Sequence, residues 1–408
     1  QHPAEATVRK LLSFTGSETA RPLFPEALLR LQEGTQALEI SGDIATVNLS
    51  ANAGLLSKQD LFVLRRAIAN TLMQWRDIRY VNVLITGMEP GVDQASLTPA
   101  GSMQFTRNED APALWDSLSS RSSLEGAEVQ RFSSVCTLYF PAGYGTGILS
   151  ETRTVSFPGQ SYRQIASSLL EALSAGPQSL HQNPGRPDLG AVTPQPQAVE
   201  EGDDCCYVID LQFMEIANQT FVNAGVPRSV MLAAITYTLT TFIPRLEGVK
   251  IRIGSEQIEG IVPGGIYEGA GEQILFAGSV LRRSDFSVFL LTDCTLYFAS
   301  GESLVPVRRP IPHGSAFNRK YLVEQLMIGP QPFDSIIGTE PVFPEGISRD
   351  HLIAVDKEGD TALVNFSGGI LELSRDLSPQ KEKLLIYSLV NTLCATRLIK
   401  RVRIYADG

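Results

Sequence analysis

The side chains that could bind a metal or act as nucleophiles are few and scattered in this sequence. They are five cysteines and four histidines: Cys136, Cys205, Cys206, Cys294 and Cys394, and His2, His181, His313 and His351. The cysteines lack the C-x-x-C spacing of a zinc site, and each histidine stands alone. Ser134 and Ser367 lack the strand-turn-helix elbow that exposes a hydrolase serine. We therefore predict no catalytic, no cofactor-binding and no metal-binding residue, in a protein that is not an enzyme and uses no cofactor.

Charged pairs are weaker candidates for binding. Arg282-Arg283 and Arg308-Arg309 could attract an acidic polymer or a lipid head group, but arginine pairs on a strand face are usually solvated. Glu200-Glu201 and Asp203-Asp204 could bind a cation or form a solvated loop edge. We expect solvated surfaces in both cases.

The glycine-rich segment and the aromatic residues are also weak candidates for binding sites. The stretch GIVPGGIYEGAGEQ from Gly260 has no lysine and contains two glutamates, so we interpret it as a connection between domains and not as an anion site. Trp115 and Tyr144 could stack on glycans, whereas Trp75 continues an apolar helix face and is expected in the core.

Composition limits the class of protein. The chain has 408 residues, which predicts two to four domains, and its net charge of -10 argues against binding to nucleic acid. No apolar run approaches the roughly 20 residues that a membrane-spanning helix needs. The sequence begins at Gln1, so we expect any membrane attachment to come through a removed N-terminal signal or anchor.

The positions of the cysteines reveal a repeat. The pentapeptide CTLYF occurs from Cys136 and from Cys294, and the residues that follow also match in order. Each copy continues with a β-rich segment and then with an apolar helical pattern that ends in Gly-Pro-Gln. The β-rich segments are ILSETRTVSFP from Ile148 and LVPVRRPIP from Leu304. Equivalent strands in separate domains hold their thiols too far apart for a disulfide, so we predict that Cys136 and Cys294 are reduced and buried, and that Cys394 is also a core residue.

A third copy is visible in the later half of the repeat. Alternating strands ATVNLS, CYVIDLQ and ALVNFS align with Asn48, Asp210 and Asn365 in register. Each precedes a helix with apolar residues at four-residue steps, predicted over residues 58–75, 227–242 and 379–397. The helix starts are marked by Ser57 with Asp60, by Pro227 and by Ser378-Pro379. Each helix leads to an apolar strand: YVNVLITG, GVKIRIGS and RVRIYADG.

These patterns predict an α/β (α+β) protein that is a tandem array of three small domains, each a mixed sheet packed on one face by two helices. The domains are residues 1–118, 119–275 and 276–408, and the middle one carries a long, exposed and mobile proline-rich loop near 178–204. The first domain lacks the opening strand pair and is incomplete. The segment GSMQFTRNED from Gly101 is a candidate to complete its sheet.

The order of the motifs resembles that of the GerM domain of sporulation and spore germination proteins. The third copy matches along its whole length, with CTLYF, LVPVRRPIP, LMIGP, ALVNFS, VNTL and RVRIYADG in the family's order. The middle copy matches at CTLYF, LSAGP, VIDL and YTLTTF but has Asp210-Leu211 where the family has an Asn-Phe pair. The first copy matches only from VRKLL to VLITG.

The resemblance implies an extracytoplasmic protein, often a membrane-anchored lipoprotein on the outer face of the cytoplasmic membrane. It also implies no catalytic residue, and it suggests self-association or a scaffold role, because the domain is similar to the ring-building motif of sporulation assemblies. We therefore expect a non-enzymatic interaction or scaffold protein of the cell envelope whose partners are proteins or further copies of itself. Binding to cell-wall glycan, as a peptidoglycan-binding module, is the alternative, and a cell-wall hydrolase is a third hypothesis.

Overall fold

A computed structural model describes residues 3–24, 27–33, 37–92, 98–122, 131–142, 145–178, 195–201, 207–223, 225–263, 272–332, 334–336, 338–396 and 398–408. The chain forms two compact units, Gln1–Leu290 and Leu291–Gly408. The first unit contains two separate hydrophobic cores, one built from residues between 4 and 118 and the other from residues between 132 and 290. The second unit has one core. The division into three domains remains a prediction beside these two compact units. No helix in the described ranges is long and apolar enough to span a bilayer.

The first part of unit 1 is a three-stranded mixed sheet with helices. Its elements are α1 (Pro3–Leu12), β1 (Leu38–Ser41), β2 (Ile44–Leu49), α2 (Lys58–Leu72), β3 (Tyr80–Ile85) and α3 (Ala111–Ser122). Strands β1 and β2 are antiparallel, and β2 and β3 are parallel because α2 connects them. The Ser57 hydroxyl accepts a hydrogen bond from the Asp60 N–H at 3.1 Å, so the predicted start of α2 is confirmed.

The second part of unit 1 contains the first CTLYF segment. Its elements are β4 (Phe132–Ala142), β5 (Gly147–Phe157), α4 (Tyr162–Ser174), β6 (Gln195–Glu201), β7 (Tyr207–Phe213), α5 (Ala217–Asn223), α6 (Arg228–Phe242), β8 (Leu246–Ile253), β9 (Glu256–Gln257), β10 (Gly260–Ile261), β11 (Ile274–Leu275) and β12 (Leu281–Arg282). Strands β4 and β5 form a long antiparallel hairpin. Strand β7 pairs antiparallel with β6 and parallel with β8.

Unit 2 repeats this order. Its elements are β13 (Leu291–Ser300), β14 (Ser303–Pro312), α7 (Arg319–Ile328), β15 (Leu352–Glu358), β16 (Thr361–Phe366), α8 (Gly369–Ser374), α9 (Pro379–Ala395) and β17 (Arg401–Ala406). Strands β13 and β14 form the hairpin, and β15, β16 and β17 form the mixed sheet. The Ser378 hydroxyl caps α9, with Pro379 in its first turn as the sequence predicts.

The α+β class and the mixed sheets are confirmed, but each complete copy divides its strands between a hairpin and a separate mixed sheet, which has five strands in the second copy and three in unit 2. This differs from the single mixed sheet that the sequence predicts. Helix α6 contacts both β4 and β8, and α9 contacts both β13 and β17. The long helix therefore packs against both groups of strands, which a pattern of local periodicity does not show.

The middle strands align differently from the sequence-based register. The residues after the last strands, Thr86, Gly254 and Asp407, each donate a backbone hydrogen bond to the end of the middle strand, at Leu49, Phe213 and Phe366. Counting back one residue makes Gln212, and not Asp210, the equivalent of Asn48 and Asn365. The middle copy therefore keeps a polar residue followed by Phe, and its apparent departure from the family pattern came from a two-residue misalignment.

The proline-rich loop predicted near 178–204 contains a strand. Gln195–Glu201 pairs antiparallel with β7, in the place that β1 and β15 occupy in the other copies. Residues 179–194 and 202–206 lie outside the described residues. The segment predicted as an exposed loop is thus partly a strand. It provides the antiparallel neighbour of β7, which the sequence pattern did not reveal.

The segment from Gly101 that the sequence suggested pairs with the first sheet, but it does not replace the missing opening strand pair, because the second copy has both an opening hairpin and a segment at the same edge. Met103 pairs antiparallel with Val81 of β3, with backbone N–H to carbonyl distances of 2.9 and 2.8 Å. Strand β12 does the same in the second copy, where Leu281 pairs with Val249 of β8. In both copies, the chain that leaves the last strand returns to cover its outer edge.

Candidate functional site

The cysteines of the CTLYF segments are core residues. Cys136 and Cys294 are buried free thiols, and Cys394 is a free thiol that packs partly buried against the core of unit 2. Burial raises the pKa of both buried thiols, to about 12 for Cys294. Because the thiolate is the reactive form, neither side chain is suited to nucleophilic catalysis. The predicted burial is confirmed for these two residues, whereas Cys205 and Cys206 lie outside the described residues.

The two described histidines belong to turns. The Ser348 N–H donates to Nδ1 of His351 at 3.1 Å, and the Ser348 hydroxyl lies 3.0 Å from the same nitrogen. His313 begins a short 3-10 turn after β14. Across the described ranges, no group of three or more His, Cys, Asp or Glu side chains could hold a metal ion. His2, His181, Asp203 and Asp204 lie outside those ranges.

Arg309 is a buried structural residue, contrary to the prediction of a solvated arginine pair. Its side chain is 1% exposed and binds both carboxylate oxygens of Asp334, at 2.8 and 2.7 Å. It also donates to the carbonyls of Gln325 and Gly329 at the end of α7, at 3.0 and 2.7 Å. The last carbonyls of a helix lack partners within the helix, so this guanidinium satisfies them. Arg308, one residue earlier in the alternating strand, is exposed as predicted.

In the second copy an arginine also bonds carbonyls at the end of a helix. Arg153 of β5 donates to the carbonyls of Ala172 and Gly176 at the end of α4, at 3.0 and 2.9 Å, and pairs with Glu151 at 2.6 Å. In both hairpins the arginine lies opposite the CTLYF cysteine. Each guanidinium also lies 5.3 Å from the centroid of the CTLYF phenylalanine ring. The arginine therefore joins hairpin, helix end and core in both copies, and its matching position in the two repeats was the signal that the sequence analysis missed.

The long helix is joined to each hairpin by a threonine. The backbone N–H of Tyr139 donates to the hydroxyl of Thr238 at 3.0 Å, and that of Tyr297 donates to Thr392 at 3.1 Å. Both threonines are buried, and each hydroxyl satisfies a strand N–H that is buried at Tyr139 and partly buried at Tyr297. The same tyrosine and threonine positions are joined in both copies.

The first copy is bound to the second by a buried ionic cluster. Glu39 of β1 pairs with Arg283 at 2.6 Å, and Arg283 also donates to the Tyr139 hydroxyl at 3.1 Å and to Thr241. The guanidinium lies 4.0 Å from the centroid of the Tyr237 ring, within the range of a cation–π interaction. Arg283 is 6% exposed, so the expectation that Arg282-Arg283 is a solvated pair is wrong for this residue. Contacts with segments distant in the sequence, in its own copy and in the first copy, bury it.

Burial and neighbouring charges define the electrostatics of this cluster. Burial raises the pKa of both tyrosine hydroxyls, and nearby Arg283 opposes that rise. The phenols of Tyr139 and Tyr237 therefore remain neutral hydrogen-bonding groups and not reactive phenolates. Burial alone would lower the pKa of the Arg283 guanidinium, but Tyr139, Glu39 and Tyr237 raise it overall, so this side chain stays charged.

A second polar cluster lies on the same face. The Asn82 amide of β3 donates to the hydroxyls of Thr137 and Thr46, and the Ser102 hydroxyl donates to Asn82 Oδ1 at 2.7 Å. The Ser150 N–H of β5 donates to the Ser41 hydroxyl at 3.2 Å. These bonds join the sheet of the first copy to the hairpin of the second. Buried polar bonds of this kind fix the relative position of two surfaces, because a shifted arrangement leaves donors unsatisfied.

Helix α2 of the first copy carries a second buried ion pair. Arg65 of α2 forms a buried ion pair with Glu89 at 2.8 Å and donates to the Gly91 carbonyl at 3.1 Å. Burial raises the pKa of Glu89, and Arg65 opposes that effect. A cavity of about 10 Å³ beside Arg65 and Trp115 has room for about one water molecule, which is too small for a substrate.

The tryptophans are packing residues. Trp115 packs on Phe62 with ring centroids 5.3 Å apart, and Trp75 packs against the first core as predicted. Tyr144 lies outside the described residues. The charged and aromatic groups named above therefore act in packing, ion pairing and contact between copies.

Comparison with known proteins agrees with the repeat. The Germane family model, described as sporulation and spore germination, matches residues 137–259 and 295–408, which together make up more than half of the chain. No curated protein matches the chain.

Two solved structures are similar in part. The tandem GerMN domains of the sporulation protein GerM from Bacillus subtilis are 18% identical, with 67% of this chain and 92% of that chain covered and a TM-score of 0.24. A predicted lipoprotein from Clostridium perfringens is 22% identical, with 29% of this chain and 76% of that chain covered and a TM-score of 0.20. The family match rests on the two segments that begin within the CTLYF strands, and the chain belongs to the Germane family of sporulation and spore germination.

Proposed function

We propose that this chain is a non-enzymatic, extracytoplasmic interaction or scaffold protein of the cell envelope that acts in sporulation or germination. The observation that carries the proposal is the binding of one copy of the fold to another inside unit 1. The sheet of the first copy is joined to the second copy by the ion pair of Glu39 with Arg283, which follows β12, and to its hairpin by the bonds of Asn82 and Ser41. Such an interface is specific, because buried polar groups tolerate only the arrangement that satisfies them.

The hairpin face used in this contact is repeated in unit 2. Thr137 and Tyr139 are 1% and 0% exposed under the first copy, whereas the equivalent Thr295 and Tyr297 are partly exposed. A sheet from a further GerM-like domain, in another copy of this chain or in a partner protein, would find the same threonine and tyrosine there, with Pro306 in the place of Ser150. This repetition supports self-association or binding of related domains.

Light scattering of the full chain over a range of concentrations tests the proposal. We expect oligomers that grow with concentration and that decrease in the Tyr297→Asp variant, because a carboxylate on the hairpin face opposes burial. Leu371→Asp, which adds the same charge at a residue of α8 that is 63% exposed and lies off the hairpin, is the matched control. A chain that stays monomeric at high concentration and captures no protein partner would contradict the proposal.

Binding to the cell wall is the alternative function, and a separate experiment tests it. Cosedimentation of the full chain with purified sacculi, without oligomers or protein partners, would favour a peptidoglycan-binding module. Release of muropeptides from those sacculi would instead show hydrolysis. We expect neither, because Trp75 and Trp115, the candidates for glycan stacking that the structure describes, pack against the first core.

Extracytoplasmic location, with a lipoprotein anchor on the outer face of the cytoplasmic membrane, is also proposed. The family's association with sporulation and germination supports it. Protease treatment of intact protoplasts, followed by detection of the chain, tests it. Degradation by external protease is expected, and full protection would contradict the proposed location.

A further inference from the structure

The outer edge of the last strand is treated differently in the three copies. Met103 covers Val81 of β3, and Leu281 covers Val249 of β8, each in antiparallel pairing. Each valine lies four residues before the end of its strand, and Val402 lies four residues before the end of β17. Within the described ranges, no strand pairs with the outer edge of β17. In β3, the N–H and carbonyl of Val81 point outward and bond Met103. By the equivalence of the strands, the N–H and carbonyl of Val402 point outward in the same way.

The covering segments also cross the long helix. After Met103, the Thr106 backbone bonds the Asn70 side chain of α2 in both directions, at 3.0 and 3.1 Å. After Leu281, Arg283 lies over Tyr237 and bonds Thr241 of α6. In each case the chain first pairs with the strand edge and then crosses the same helical stripe.

On α9 the equivalent stripe consists of Tyr387 and Asn391, and no later segment in the described residues crosses it. Since Thr238 and Thr392 make the same bond to their hairpins, Ala233 corresponds to Tyr387 and Tyr237 corresponds to Asn391. Ala233 and Tyr237 are fully buried, and every residue from Ser229 to Phe242 of α6 is buried. In contrast, Tyr387 is 51% exposed, and only four residues of α9 are buried. Ile404 of β17 is 40% exposed, whereas its equivalent Ile251 is fully buried.

The charge of this open surface selects the chemistry of its occupant. Lys400, Arg401 and Arg403 are exposed along β17, where Arg401 also pairs with Asp360 at 2.6 Å. Lys383 lies 5.9 Å from the Tyr387 ring centroid. Antiparallel pairing of β17 with a second copy of itself, centred on Val402, would place Arg401 of one strand opposite Arg403 of the other. Like charges directly opposite each other destabilise a sheet, which disfavours this self-pairing.

We propose that β17 and the Tyr387 stripe of α9 bind an extended acidic segment of a partner protein by strand addition. The segment runs antiparallel to β17, with a large apolar residue opposite Val402, as Met103 and Leu281 do for the other copies. Its acidic residues lie along the basic edge and over Lys383. This mode of recognition combines main-chain hydrogen bonds with side-chain contacts. The proposal rests on the proposed interaction function and names a surface separate from the hairpin face.

The chain itself supplies a probe. A labelled peptide that copies residues 101–110 with Arg107→Glu carries the covering methionine and an acidic end. We expect fluorescence anisotropy to show its binding to the full chain, with affinity that falls as salt rises. The same peptide with Met103→Asp should bind at least about tenfold more weakly, because the apolar contact with the edge is lost.

The decisive variant is Val402→Pro. In the first copy the equivalent N–H points outward to Met103, so proline removes the outward donor of β17 and spares its ladder to β16. We expect peptide affinity to fall about tenfold or more in this variant, and to change less than about twofold in Val402→Thr, which keeps the N–H. Arg403→Glu should weaken binding as well, since it reverses a charge on the edge. Hydrogen exchange on the wild-type chain should show protection of the Val402 amide when peptide is bound.

The outcomes separate the possible explanations. Equal peptide affinity in wild type and Val402→Pro, with native thermal unfolding in both, would overturn the edge proposal. Unprotected Val402 in the presence of bound peptide would overturn it too. Loss of self-association in Val402→Pro would point to pairing between copies and against an acidic partner. If Tyr297→Asp abolishes oligomers while Val402→Pro retains them and binds peptide normally, the interaction function stands and only the β17 proposal fails.

Discussion

Arg308 and Arg309 are adjacent in β14 and lie in opposite environments. The strand alternates its faces, so Arg308 faces solvent while Arg309 turns into the core and meets Asp334 and the end of α7. The same guanidinium chemistry therefore contributes little at one position and organises the fold at the next. A buried charge is stable only while all its partners remain.

Arg309→Ala should destabilise unit 2 by about 3 to 5 kcal/mol, because it leaves Asp334 buried without its cation. Urea unfolding followed by circular dichroism measures the change in the free energy of unfolding. Arg308→Ala is the matched control and should change it by less than about 0.5 kcal/mol. Equal effects in the two variants would show that Arg309 is not the buried partner of Asp334.

Cys294 should make unit 2 sensitive to alkali. Burial raises the pKa of its thiol from 9.0 to about 12, so the native state holds a proton that the unfolded state has released. The stability from this group is fully present below pH 9.0 and is lost as the pH rises toward about 12. Urea unfolding at a series of alkaline pH values should therefore show a decline that Cys294→Ala reduces. An unchanged pH profile in the variant would contradict the raised pKa.

At the scale of elements, α6 and α9 show how one sequence pattern can lie in two environments. Both helices place a threonine against the CTLYF strand, yet α6 is buried on all sides and α9 only on one. The local pattern of apolar residues predicts the helix and its first buried face. The second buried face of α6 depends on a later segment, Leu281–Arg282 and the turn that follows, which no local window includes.

Thr392→Val should lower the stability of unit 2 by about 1 kcal/mol, because the partly buried Tyr297 N–H loses its acceptor while the side-chain volume is kept. Hydrogen exchange of the Tyr297 amide and urea unfolding both measure the effect. Thr295→Val, on the partly exposed face of the same strand, should change stability by less than about 0.5 kcal/mol. A protected Tyr297 amide in Thr392→Val would argue against this joint.

At the scale of the molecule, the sheet of the first copy buries polar groups whose partners lie on the second copy. Glu39 meets Arg283 after β12, and Asn82 and Ser41 bond Thr137 and Ser150 of the hairpin. A polar residue on a sheet face would ordinarily be assigned to solvent. Its burial depends on contact between segments that are far apart in the sequence.

Glu39→Gln tests this contact. The change leaves Arg283 buried without a full counter-charge, and we expect a loss of about 3 kcal/mol in the unfolding free energy of unit 1. Glu5→Gln removes the more exposed Glu5–Arg9 pair of α1 in the same unit and should cost less than about 0.5 kcal/mol. Similar losses in both variants, or none in Glu39→Gln, would show that the ionic cluster does not hold the first copy in place.

The sequence by itself determined the repeat, the family and most element boundaries. CTLYF, the helix caps at Ser57 and Ser378 and the apolar four-residue steps are local signals, and local backbone preference and periodicity produce them. Only the tertiary structure decided that Arg283 and Arg309 are buried, that Gln212 takes the place of Asn365, and that β17 keeps an open edge. These features depend on which distant segment covers each face, and the free energy of a buried charge or a strand edge is set by that neighbour and not by the residue's own type.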